Sequence, residues 1–136
     1  MDEGNFLHDV ELSLGVSRDK AHQITAAVFH ELHDRLTVKE ANDLAAQLPG
    51  ELKVMWHGYD SPGREVSRTH KAQFIRRVAE EAEISEIDAR HAIVSVFREL
   101  QKLLHSPTGQ EGEAWHILSQ LPKDLKKLWT GAAPSR

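Results

Sequence analysis

The run Ser17–Leu32, SRDKAHQITAAVFHEL, returns 68 positions later as Ser85–Leu100, SEIDARHAIVSVFREL. In both, apolar residues recur every three or four positions: Ala21, Ile24, Val28 and Leu32 in the first, Ala89, Ala92, Val96 and Leu100 in the second. That is the one-faced pattern of an amphipathic helix. Each run opens on a serine whose hydroxyl can accept from an otherwise unpaired backbone N–H, so Ser17 and Ser85 are expected N-caps.

Working outward, the correspondence holds in order. Phe6 falls on Phe74 and Val10 on Val78; after five extra residues in the second copy the offset becomes 73, and Gln47-Leu48-Pro49, Leu52 and Trp56 fall on Gln120-Leu121-Pro122, Leu125 and Trp129. All four phenylalanines and two of the three tryptophans sit at matched places. Two copies of one supersecondary unit keep the same internal packing, and matched large apolar residues are its signature. Four helical segments fit each copy. The first runs from about Phe6, its counterpart from about Lys71 to Ala82; Thr37 and Glu40 have capping-box spacing for a third helix ending near Pro49. Pro49 and Pro122 then open short fourth helices.

The expected fold class is therefore all-α: two similar four-helix units packed as a helical bundle, a tandem pseudo-repeat. Residues 5–58 form the first unit, 59–68 a linker, 69–130 the second unit and 131–136 a C-terminal tail. Each copy is under about 60 residues, a size at which burial is marginal, so the two are expected to share one core.

Composition narrows the function classes. The 136-residue chain is 40% hydrophobic, carries a net charge of -4 and contains no cysteine. Disulfides, thiol nucleophiles and cysteine-ligated metal sites are excluded. Residues 1–58 hold ten acids against five bases, which argues against nucleic acid even though the Leu48-Pro49-Gly50 break between helices imitates a helix-turn-helix. No stretch is long and apolar enough for a membrane, and the first residues do not read as a secretion signal, so a cytoplasmic location is expected.

The runs Leu36-Thr37-Val38-Lys39-Glu40-Ala41, Gln47-Leu48-Pro49, Trp56-His57-Gly58-Tyr59-Asp60 and Gln120-Leu121-Pro122-Lys123-Asp124-Leu125 together resemble the bacterial domain of unknown function family numbered 2267. The resemblance spans about residues 5–130. It implies an all-helical, two-copy bacterial protein, and it implies no activity and no catalytic residue.

Nine histidines supply the remaining chemistry. His30 and His33 share a helical face at i, i+3 and are the candidate metal ligands, with Asp34, His22 or His8 available to complete a set. The second copy has Arg98 and Gln101 there, so such a site is not duplicated. Glu31 and Glu99 are the acids at matched positions; pairing of Glu31 with Arg35 one turn on is the structural reading, and no catalytic residue is assigned. No glycine-rich phosphate loop or dinucleotide fingerprint is present, and no cofactor is expected. Trp115, Tyr59, Trp56 and Trp129 are candidate interaction residues, with core packing the competing reading for the two matched tryptophans. Gln47, Pro49, Gln120, Pro122, Phe29 and Phe97 are structural candidates; the two glutamine amides are expected to satisfy backbone groups where proline interrupts a helix. The functional expectation is a non-enzymatic protein-interaction or scaffold module engaging a protein partner or a second copy. The alternative is a small-ligand or metal-binding sensor using the crevice between the copies.

Overall fold

The computed structural model describes residues 3–68, 70–104, 121 and 123–132, with the first three by backbone alone. Among these the chain is all-helical, with seven helices and no strand. They are α1 (Glu3–Leu14), α2 (Arg18–Arg35), α3 (Val38–Ala45), α4 (Gly50–His57), α5 (Lys71–Ala82), α6 (Glu86–Leu104) and α7 (Lys123–Gly131). Within the described residues no helix is long and apolar enough to cross a membrane.

The helix ends follow local chemistry. Ser17 Oγ accepts from Lys20 N at 3.2 Å and Ser85 Oγ from Asp88 N at 3.1 Å, so both serines cap the helices that follow them. Thr37 and Glu40 form a reciprocal capping box at 3.1 and 3.0 Å. α3 stops at Ala45, earlier than the Pro49 boundary that the sequence suggests. Backbone bonds from Gln47 N to Leu44 O and from Leu48 N to Ala45 O, each 3.0 Å, tighten the exit, and Pro49 stands as the N-cap of α4 rather than inside its first turn. Proline biases its predecessor away from helical geometry, which makes it a divider here.

α1 and α5 end alike. Gly15 (φ +66°) and Glu83 (φ +58°) take left-handed conformations, and Val16 N and Ile84 N reach back five residues to Glu11 O and Ala79 O. Glycine adopts this conformation without steric cost, whereas Glu83 is held by Gln23 Nε2, which donates to its Oε1 at 3.0 Å, and its neighbour Ala82 accepts at O from Lys20 Nζ at 2.9 Å. Residues of α2 thus finish the C-terminus of α5. The start of α5 is also closed from afar, because Lys71 N donates to Asp124 Oδ2 at 2.7 Å. That bond holds the Asp124 carboxyl below the usual range against an opposing desolvation effect, with Leu125 N assisting.

α1 and α5 each pack against both α2 and α6, so these four helices enclose the core. α4 covers α2, α3 leans on α4, and α7 covers α6. Two aromatic rows run through the interior. Phe6 and Phe29 have ring centroids 6.1 Å apart and Phe29 and Trp56 5.5 Å; Phe74 and Phe97 are 6.2 Å apart and Phe97 and Trp129 5.2 Å. Edge-to-face and tilted pairs at these distances add to the area term of burial.

Candidate metal centre

The apolar stripe of α2 faces the core, and this turns His30, Glu31, His33 and Asp34 toward α5 and toward the turn that follows α4. Two long-range placements complete the neighbourhood. Packing of α5 on α2 brings Glu81 Oε1 to 2.8 Å from His30 Nδ1. The last residue of α4 is His57, and the turn after it, held by Tyr59 N to Trp56 O and Asp60 N to His57 O, delivers Tyr59 and Asp60.

The result is an alternating row of imidazoles and carboxylates. His30 Nε2 lies 3.3 Å from Asp34 Oδ2. His33 Nδ1 lies 3.0 Å from Asp34 Oδ1 and His33 Nε2 2.7 Å from Asp60 Oδ1, while His57 Nδ1 lies 2.8 Å from Asp60 Oδ2. A neutral imidazole carries one N–H, and His30 and His33 each face carboxylates on both sides. Both contacts of such a ring are satisfied when it is an imidazolium or when a metal ion takes the place of one proton. Burial works to raise the Asp60 carboxyl, but hydrogen bonds from His33 and His57 outweigh it and hold that group below the usual range.

At one end of the row a ligand set converges. His30, Glu31 and Glu81 each offer a ligand atom, and these atoms lie within 4.8 Å of one another. Glu31 is buried, which raises its carboxyl above the usual range against the pull of His30 and Arg77. Arg77 on α5 reaches to 4.0 Å from its Oε1. Tyr59 stacks on His30 with centroids 4.2 Å apart and planes 4° from parallel, and its hydroxyl donates to Glu81 Oε2 at 3.4 Å. Burial, followed by the Glu81 charge, pushes the Tyr59 phenol up to about 12, so it stays a donor. With Nδ1 of His30 turned to the carboxylates, Nε2 is backed by Asp34, the carboxylate–imidazole support that orients metal-ligating histidines elsewhere.

His30 stands in the converging set, and His33 does not: its side chain is 0% exposed and spends both nitrogens on Asp34 and Asp60. His8 and His22 are exposed and outside the set. Trp56 and Trp129 lie inside the core, and Tyr59 is half-buried against His30. Phe29 and Phe97 are fully buried. Gln47 is exposed and its amide makes no hydrogen bond among the described residues, because the backbone bonds of residues 47 and 48 already close α3. Trp115, Gln120 and Pro122 lie outside the described residues. Sequence reasoning missed Glu81, His57 and Asp60. The three-residue spacing from His57 to Asp60 was a local signal for that pair, whereas Glu81 has none, being 51 residues from His30.

Glu99, the counterpart of Glu31, sits 4% exposed on α6 with Lys102 Nζ at 3.1 Å. Burial raises its carboxyl, Lys102 opposes this and neighbouring Asp9 reinforces it. A carboxyl raised in the folded state contributes stability that is complete below its unfolded value and is lost as the pH climbs through the folded one. Glu99→Gln is therefore expected to flatten the decline of stability above pH 4.5, each unit of upward shift being worth about 1.4 kcal/mol. Urea midpoints of the two proteins across that range check it; parallel curves would refute it.

The family model described as "uncharacterized conserved protein (DUF2267)" matches residues 4–128. Comparison with curated proteins gives no match.

Proposed function

The chain belongs to the DUF2267 family, and on that premise we propose that it is a non-enzymatic sensor module of two similar helical units, 5–58 and 69–130, clamped together by a divalent cation. The two-unit reading, with 59–68 as linker and 131–136 as tail, is supported by the aromatic rows: matched residues of the two copies meet at nearly the same distances. In the sensor reading the cation is held by His30, Glu31 and Glu81. The observation that carries it is the convergence of these three ligand atoms from α2 and α5, with Asp34 behind the imidazole. One nitrogen and two carboxylate oxygens suit a first-row divalent ion such as zinc, with water filling the remaining position.

The site bridges the units, so loading it fixes α5 on α2. A protein partner or a second copy would read the face so fixed, which is how the sensor and the interaction module become one function. Arg77 competes for Glu31 in the free state and is exposed enough to swing aside.

Zinc added to chelator-treated protein is expected to release or absorb heat in titration calorimetry and to raise the melting temperature as free zinc increases, since binding to the folded state stabilises by linkage. His30→Ala and Glu81→Gln abolish both effects, and Arg77→Gln strengthens them. A zinc response of full size in His30→Ala, or none in the parent with zinc or manganese, would overturn the proposal.

A further inference from the structure

Away from the histidine row, α6 turns a second polar stripe toward the first half of the chain. Asp88, His91, Ser95 and Arg98 follow one another at spacings of three, four and three, and all four line one crevice of about 400 Å³. The rest of its lining is mostly apolar: Leu14 at the end of α1, Val16 after it, Ile24 on α2, Ile84 just before α6 and Val94 on α6, with Ser13 beside Leu14. The volume is within the range of small-molecule sites, and a polar stripe joined to apolar lining suits an amphipathic ligand.

Two observations define its chemistry. Ser95 is 2% exposed and its hydroxyl makes no hydrogen bond among the described residues, an uncompensated loss of hydration unless a ligand supplies the partner. Arg98 donates through Nε to Ala132 O at 3.2 Å, which anchors the guanidinium while its two terminal nitrogens have no partner among the described residues. A planar fork held in this way matches a carboxylate. Asp88 stands ten residues away on the same helix face, about 15 Å at helical rise, and gives the far end of the crevice the opposite sign.

We infer that this crevice is a second binding site, separate from the cation clamp, for a small amphipathic monocarboxylate. The carboxylate pairs with Arg98, the Ser95 hydroxyl donates to the ligand, and the apolar body lies against Leu14, Val16 and Ile24. None of the cation-clamp residues takes part.

Octanoate and octylammonium, equal in chain length and opposite in charge, test the assignment by amide chemical shifts on the full chain. Octanoate is expected to shift resonances of α6 and of residues 14–24 saturably, with octylammonium at least ten-fold weaker. Ser95→Ala should fold with a melting temperature no lower than the parent's, because it removes an unpaired hydroxyl, yet bind octanoate several-fold more weakly. Arg98→Gln should lose binding at least ten-fold. Equal response to both amphiphiles, shifts elsewhere on the surface, or unchanged octanoate affinity in Ser95→Ala would overturn the inference. Because zinc is absent throughout, failure here leaves the cation clamp standing, and failure of the clamp leaves this site standing.

Discussion

Trp56→Ala is expected to lower the unfolding free energy by about 3–5 kcal/mol, a large share of the 5–15 kcal/mol of an ordinary domain. Trp56 is 0% exposed. It is the meeting point of three elements: Phe29 on α2 packs edge-on at 5.5 Å, His33 does so at 5.2 Å, and the indole N–H donates to Ala41 O on α3 at 3.0 Å. Truncation removes the ring, leaves a cavity that helices on several sides cannot all close, and breaks the indole bond that ties α4 to Ala41 O of α3. α4 would lose its main attachment to α2. Guanidinium unfolding followed by circular dichroism reads the effect; a loss under about 1.5 kcal/mol would mean that α4 collapses into the space and that the indole is not the anchor.

The second large effect is at His33. His33→Ala is expected to cost about 2–4 kcal/mol, since it removes a buried ring and leaves two charge-assisted hydrogen bonds unmade. His33→Gln should recover part of this. The second half of the chain already uses glutamine at the matched place: Gln101 Nε2 donates to Trp129 O at 2.7 Å and ties α7 to α6. A pH signature separates the lost ring from the lost bonds. The folded Asp60 carboxyl is held low, so its contribution is present above the unfolded carboxylate range and disappears as the pH falls through the folded value. Without His33 that acid-side loss should shrink. Zinc affinity should also fall, by the 10–100-fold typical of a lost supporting residue, because Asp34 no longer has His33 to orient it behind His30. Unchanged zinc affinity in a folded His33→Gln protein would detach the histidine row from the cation site.

The helices were largely legible in the sequence. The stripes Ala21-Ile24-Val28-Leu32 and Phe74-Val78-Ala82 are buried as their periodicity requires, and Ser17, Ser85 and the Thr37–Glu40 pair act through atoms three residues apart. Such signals are local, so a linear reading captures them. Boundaries were less so: the α3 exit depends on where backbone bonds of residues 47 and 48 close, which no residue type announces. Gln47 carries an amide of the right chemistry for that task, and the backbone does it instead.

The candidate site was legible by half. His30 and His33 share a helix face by sequence, but face alone did not assign their roles. The acid at His30 Nδ1 comes from α5 and the acid at His33 Nε2 from the turn after α4. Glu31 likewise meets Arg77 on α5 in addition to the charge of Arg35 one turn on, and sequence spacing pointed only to the second. By itself, then, the sequence determined the helical class, the caps, the matched aromatic core and the family, because periodicity, hydrogen-bond reach and burial of large rings act over a few residues or recur in register. Only the tertiary structure decided which carboxylate meets which imidazole and which hydroxyl stays unpaired in a crevice. Those outcomes depend on how α5 and α6 seat against α1 and α2, and a seating is set by the summed packing of whole faces rather than by any local run.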